Sequence, residues 1–150
     1  MSSDSDFTVE TAHAAAERDA LGTWVEAFLA SDGSDNAELG EQLRQDYPIW
    51  FGPVRIGFDR LRRLAGPPDE PTLERLDGDD DATVEEMKDS LEDGWTPPPF
   101  VATWQGDHLM LEDGNHRVEG VRRYGESRYW CVVGVRTHSE RVAAEAEIQR

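Results

Sequence analysis

The run Tyr129-Trp130-Cys131-Val132-Val133-Gly134-Val135 constrains the fold more than any other stretch of this chain. It is almost wholly apolar, rich in β-branched and aromatic residues, and far shorter than the roughly 20 residues a membrane span needs. An apolar strand with no polar alternation predicts a position inside a sheet rather than at a solvated face. The rest of the chain must then supply neighbouring strands and helices to cover them.

The preceding residues supply those partners. Pro97-Pro98-Pro99 leads into a strand at 100–104, Gln105-Gly106-Asp107 is a hairpin turn, and 108–112 is the return strand. Asp113-Gly114 turns the chain into a helix that runs to Tyr124, with Val118 and Val121 inward and Gly125 as its stop. Further upstream, 7–30 reads as one amphipathic helix with Val9, Ala16, Ala20, Trp24 and Phe28 near one face. A second helix, capped by Asp35 or Asn36, runs to about Tyr47 before Pro48 ends it. A short strand at 50–56 and a helical turn at 59–64 follow, then a surface loop over 71–81. Asp81 caps a helix striped by Val84, Met87 and Leu91 and stopped by Gly94, and a final exposed helix spans 139–150.

This order predicts an α+β fold, a small mixed β-sheet packed by helices. It divides into an N-terminal helical extension over 1–52, a main domain over 53–136 and a C-terminal helix or tail over 137–150. An acidic insertion at about 69–93 carries twelve acids against two bases and reads as a solvated face, since its acids are not spaced as a calcium loop.

Charge excludes more than it assigns. The formal net charge of −17 repels bare nucleic acid, so DNA is not an expected partner. Fourteen of the fifteen basic residues are arginine, a bias of composition and not of function. No apolar run is long enough to cross a membrane, and the first twenty residues are acidic and polar where a secretory signal is basic and apolar, so a cytoplasmic location is expected. The single cysteine, Cys131, can form no internal disulfide, and in an apolar strand it reads as inert packing.

Chemistry concentrates at Asp113-Gly114-Asn115-His116-Arg117. The first N–H groups of a helix lack internal partners and carry partial positive charge. Gly114 lets the backbone approach an anion, Asn115 and His116 add donors, and Arg117 can grip phosphate oxygens through two N–H groups. The same residues also fit a capped surface helix, with Asp113 as cap and Arg117 paired to a nearby acid, and spacing alone leaves both readings open. Arg55, Arg60, Arg62 and Arg63 form a locally basic stretch that fits either an anion-lined cleft or surface pairing. Trp95 and Trp104 fit the core or the flanks of a ligand pocket.

In this setting, 97–135 resembles the core of the ParB/sulfiredoxin superfamily: a proline-led strand, a turn, a strand ending in an Asp-Gly-X-His-Arg type motif, a helix and a last strand. The upstream Val54-Arg55-Ile56-Gly57-Phe58-Asp59-Arg60-Leu61 is similar to the family's first strand and following Leu-Asp-X-Leu element. The resemblance implies a nucleoside triphosphate, ATP or CTP, bound with magnesium (Mg2+). Gly114, Asn115, His116 and Arg117 would hold phosphate, and Asp113 would orient the turn or the metal; Glu119, one helical turn past His116, fits either a neighbour of the metal or, more simply, a surface acid. It also implies ATP-dependent phosphoryl transfer to a small-molecule acceptor as one function, with Asp59 or Asp113 as candidate catalytic carboxylates. The alternative is a non-catalytic interaction or regulatory module that binds a protein partner. Sulfinic-acid reduction is not expected, because sulfiredoxins carry their cysteine where this chain has Asn115. Chromosome partition and nuclease activity are not expected of so acidic a chain.

Overall fold

A computed structural model of the chain describes residues 7–31, 37–63, 79–94, 96–113, 121–122 and 124–149. Helices α1 (Val9–Glu17), α2 (Leu21–Leu29) and α3 (Ala37–Asp46) precede strand β1 (Ile49–Gly57). A 3-10 turn (Phe58–Arg60) leads into the short strand β2 (Leu61–Arg63). Helix α4 (Asp79–Glu92), strands β3 (Phe100–Trp104), β4 (Leu109–Asp113) and β5 (Arg128–Val135), and helix α5 (His138–Ile148) follow. The five strands form one sheet in the order β1-β5-β3-β4-β2. The β1/β5 and β3/β4 pairs are antiparallel and the β3/β5 and β2/β4 pairs parallel, so the sheet is mixed and the fold α+β.

The apolar run at 129–135 lies in β5, between β1 and β3, and Cys131, Val132, Val133 and Val135 are completely buried. Successive residues point to opposite faces, so a strand buried on both sides requires two cores. One holds Phe51, Ile56, Phe58, Phe100, Leu109, Leu111, Cys131 and Val133, with Val121 and Ala144 of α5 closing over it. The other places Val101 and Val132 against Ala12, Ala15, Trp24, Val25, Leu29, Leu43 and Tyr47 of the N-terminal helical layer.

The connection between β1 and β2 shows that the sheet is coiled. A flat five-stranded sheet would hold its outer strands about 19 Å apart. The four residue steps from Gly57 to Leu61 reach at most about 14 Å. The edges are therefore drawn together around the first core, where the rings of Phe58 and Phe100 lie 6.0 Å apart. Arg60 braces this crossing by pairing with Glu147 of α5 at 2.9 Å.

Several expectations are corrected or refined. The single helix predicted over 7–30 is two, because Asp19 adopts φ 57° and ends α1. The N–H groups of Asp19 and Ala20 close that end on the carbonyls of Ala16 and Ala15. The helical turn predicted over 59–64 is a 3-10 turn followed by a strand, since Leu61 pairs with Leu109 and is buried. The C-terminal helix is exposed over much of its surface, as expected, but it also packs one face on the first core, with Ala144 fully buried.

Strand β1 starts at Ile49, so the boundary drawn between 52 and 53 falls inside a strand. Helix α4 starts at Asp79, so Asp81 lies inside it and is not its cap, and Gly94 follows it with φ 101°. The N–H groups of Gly125 (φ 117°) and Glu126 bond back to the carbonyls of Arg122 and Val121, the helix stop expected there.

Candidate functional site

Strand β4 delivers the motif. It ends at Asp113, and the chain is helical again at Val121, which is 1% exposed in the first core. Gly114, Asn115, His116, Arg117 and Glu119 lie outside the described residues, as do Trp95 and Val118, and only the backbone of Asp113 is described. The structure therefore fixes where the motif leaves the sheet and where its helix is anchored.

The departure point is irregular. Ala102 pairs with Leu111 and Val101 with Asp113, which leaves Glu112 as an extra residue in β4, a β-bulge directly before the motif. With a regular ladder, Asp113 would stand opposite Phe100, a fully buried residue of the first core. The bulge moves it into register with Val101, which belongs to the face covered by the N-terminal helices.

The bulged residue is held by its side chain. Thr103 Oγ1 donates to Glu112 Oε2 at 2.7 Å. Gln105 Nε2 donates to Thr103 Oγ1 at 2.6 Å and to Tyr47 Oη at 2.8 Å. Thr103 is wholly buried, and among the described residues it is the one polar side chain so placed. Tyr47 follows α3, sits in the second core and carries the Arg136 guanidinium over its ring at 5.6 Å. A chain of hydrogen bonds thus runs from the helical layer to the residue before Asp113.

Burial pushes the Glu112 carboxyl above the ordinary glutamate range, and the Thr103 hydrogen bond offsets part of that rise. The folded protein therefore holds this proton more tightly than the unfolded chain does. The stability Glu112 contributes is full below its ordinary value of 4.5 and is lost as pH rises through the folded value. Glu112→Gln should then melt higher than the unsubstituted protein at about pH 8 and match it more closely at about pH 4. Thermal unfolding at the two pH values checks this, and a difference that does not change with pH would show that ionisation of Glu112 carries no cost.

The other candidates are dispersed. Strand β2 begins opposite Leu109, at the end of β4 away from Asp113, and Asp59 lies two residues before that start. Arg60 is committed to Glu147, and the Arg55 guanidinium lies 5.6 Å over the ring of Trp130. Arg62 and Arg63 stand opposite Met110 and Leu111, where β2 runs beside the motif strand. Trp104 is core, at 4% exposure, and Cys131 is a completely buried thiol. Among the described residues no group of His, Cys, Asp and Glu is arranged to hold a metal ion, and no helix is long and apolar enough to cross a membrane.

Sequence reasoning passed over Thr103, Gln105 and Tyr47, and saw Glu112 only as a flank of the motif. One local signal was present: Thr103 and Glu112 are polar residues in otherwise apolar strands, on opposite arms of one hairpin.

No protein-family model matches the chain, and no curated protein matches it. Among solved structures it is similar to the C-terminally truncated chromosome-partitioning protein ParB from Caulobacter crescentus, complexed with CTP-γ-S. The identity is 19% over 67% of this chain, with a TM-score of 0.39. The matched region spans 54% of that protein. A superposition this loose assigns no residue of the chain to a role.

Proposed function

We propose that this protein binds the phosphates of a nucleoside triphosphate, with magnesium, at the segment running from Asp113 to Arg117. The observation that carries the reading is the placement of that motif. It follows a bulged strand end inside a mixed sheet and leads to a helix whose Val121 is locked in the core. A site that must hold an anion in one geometry gains from such rigid support.

The donor set suits the ligand. Asn115, His116 and Arg117 offer N–H groups to phosphate oxygens, and Gly114 adds no side chain to block close approach. Asp113 and Glu119 carry the hard oxygen atoms that magnesium prefers. Bound magnesium would offset phosphate charge, which matters in a chain of net charge −17.

Thermal melts with ATP, CTP, GTP and ADP, each with magnesium, test the reading. A hundredfold excess over Kd stabilises the folded state by about 2.7 kcal/mol. For a chain of this size that is a rise of roughly 5–10 °C. No rise with any of the four would overturn nucleotide binding.

Phosphoryl transfer to a small hydroxyl acceptor is the catalytic form of the same proposal, with Asp113 or Asp59 as the base. It requires phosphate release that depends on an acceptor and disappears in His116→Ala. The regulatory form, in which nucleotide binding alters contact with a protein partner, requires stabilisation without turnover. Asp59 lies in the 3-10 turn before β2, beside the end of β4 away from Asp113, and this separation favours the second form.

A further inference from the structure

We infer that Glu112 is a positioning residue for the motif, and that the N-terminal helical layer sets the affinity of the site through Tyr47, Gln105 and Thr103. The inference rests on the proposed phosphate site, and it gives the helices at the start of the chain a role in that site.

A bulge is one extra residue in a ladder, and it can migrate along the strand at the cost of rearranging its hydrogen bonds. Moving this bulge by one place would return Asp113 to register with Phe100 and bring the chain to the motif from the opposite face. What pins it is the side chain of the bulged residue. Glu112 is held by the Thr103 hydroxyl from within β3, the strand against which the bulge is defined. Both contacts made by the Gln105 amide nitrogen then tie Thr103 to Tyr47.

These bonds are costly to break singly. Thr103 is 0% exposed, so its hydroxyl has no water to replace a lost partner, and losing it would strip a donor from a half-buried carboxylate. Each link is specified by its neighbour. Tyr47 is anchored by its ring in the helical core, 58 residues from Gln105 in sequence, so a shift of α3 against the sheet is transmitted to Glu112. Groups that bear on Tyr47 and the hairpin, Arg136 over the phenol and the Asp107–His108 pair at the turn, lie outside the chain of bonds itself.

Thr103→Val and Thr103→Ser separate this role from packing. Valine keeps the shape and loses the hydroxyl, whereas serine keeps the hydroxyl and loses a methyl group. Calorimetric titration with ATP–magnesium and CTP–magnesium should show binding about three- to tenfold weaker in Thr103→Val, as expected for one lost hydrogen bond, and near the unsubstituted value in Thr103→Ser.

The backbone amide signals of Gly114 and Asn115 in nuclear magnetic resonance spectra should follow the same order, moved in Thr103→Val and restored in Thr103→Ser. Tyr47→Phe, which removes only an oxygen, should move them in the same direction by less. Amide signals and affinity unchanged in Thr103→Val, or serine behaving as valine does, would overturn the inference. If the unsubstituted protein binds neither nucleotide, the phosphate reading fails, and the amide signals without ligand still decide whether Glu112 is held from Tyr47.

Discussion

Gly134→Ala is expected to destabilise the protein by about 1–3 kcal/mol, lowering the melting temperature by roughly 3–10 °C, without any change in the motif. Gly134 lies in β5 opposite Trp50 of β1, and the indole ring lies across it. A β-carbon at Gly134 would stand 2.7, 2.8 and 3.0 Å from three ring carbons of Trp50, closer than carbon atoms approach in folded proteins. The same ring also packs against α2, since a β-carbon at Gly22 would stand 3.1 Å from Trp50 Cδ1. Trp50 therefore fills the gap between the sheet and the N-terminal layer, and glycine at 134 is a requirement of thickness.

Its indole Nε1 is buried with no hydrogen-bond partner among the described residues, so the ring is kept for its shape against a polar cost. Trp50→Leu should remove most of the penalty of Gly134→Ala. The double variant should then be more stable than the sum of the single changes predicts, by about 1 kcal/mol or more in a double-mutant cycle. Additive effects would show that Gly134 is needed for something other than Trp50.

The same contact explains which parts of the fold can be read along the chain. Strands β3, β4 and β5 were legible because their signals are local: a glycine at the hairpin turn, short apolar runs, and a run at 129–135 too apolar for a surface strand. The division of the first helix was not. Ala16, Ala20, Trp24 and Phe28 keep a four-residue spacing straight through the break, and nothing in the sequence forces Asp19 into the left-handed region.

Strand β2 has three residues and one buried leucine, and exists because Leu109 is there to pair with it. The support of the candidate site was hidden for a related reason. Thr103 and Glu112 are near each other in sequence, but Tyr47 reaches Gln105 only once the helical layer has folded onto the sheet. The motif could be seen in one line of sequence; what holds it in place is tertiary.

Arg117→Ala is the variant that bears most directly on function. Removing the guanidinium should weaken nucleotide binding by about 1.5–3 kcal/mol, roughly 10- to 150-fold in Kd, because a hydrogen bond to a charged phosphate is lost. Arginine offers paired N–H groups in a fixed plane, so Arg117→Lys should recover only part of the loss, keeping the charge without the geometry. The melting temperature without ligand should change little. Val121, four residues beyond Arg117 in sequence, is buried in the first core and holds the chain there irrespective of what the motif binds.

Calorimetric titration of the three proteins, with thermal melts of each in the absence of nucleotide, separates the two roles the sequence left open. Loss of affinity with an unchanged melt places Arg117 against phosphate. An unchanged affinity removes it from the site. A lower melting temperature at unchanged affinity would make Arg117 a structural partner of the helix start, and the motif a cap rather than a binding loop.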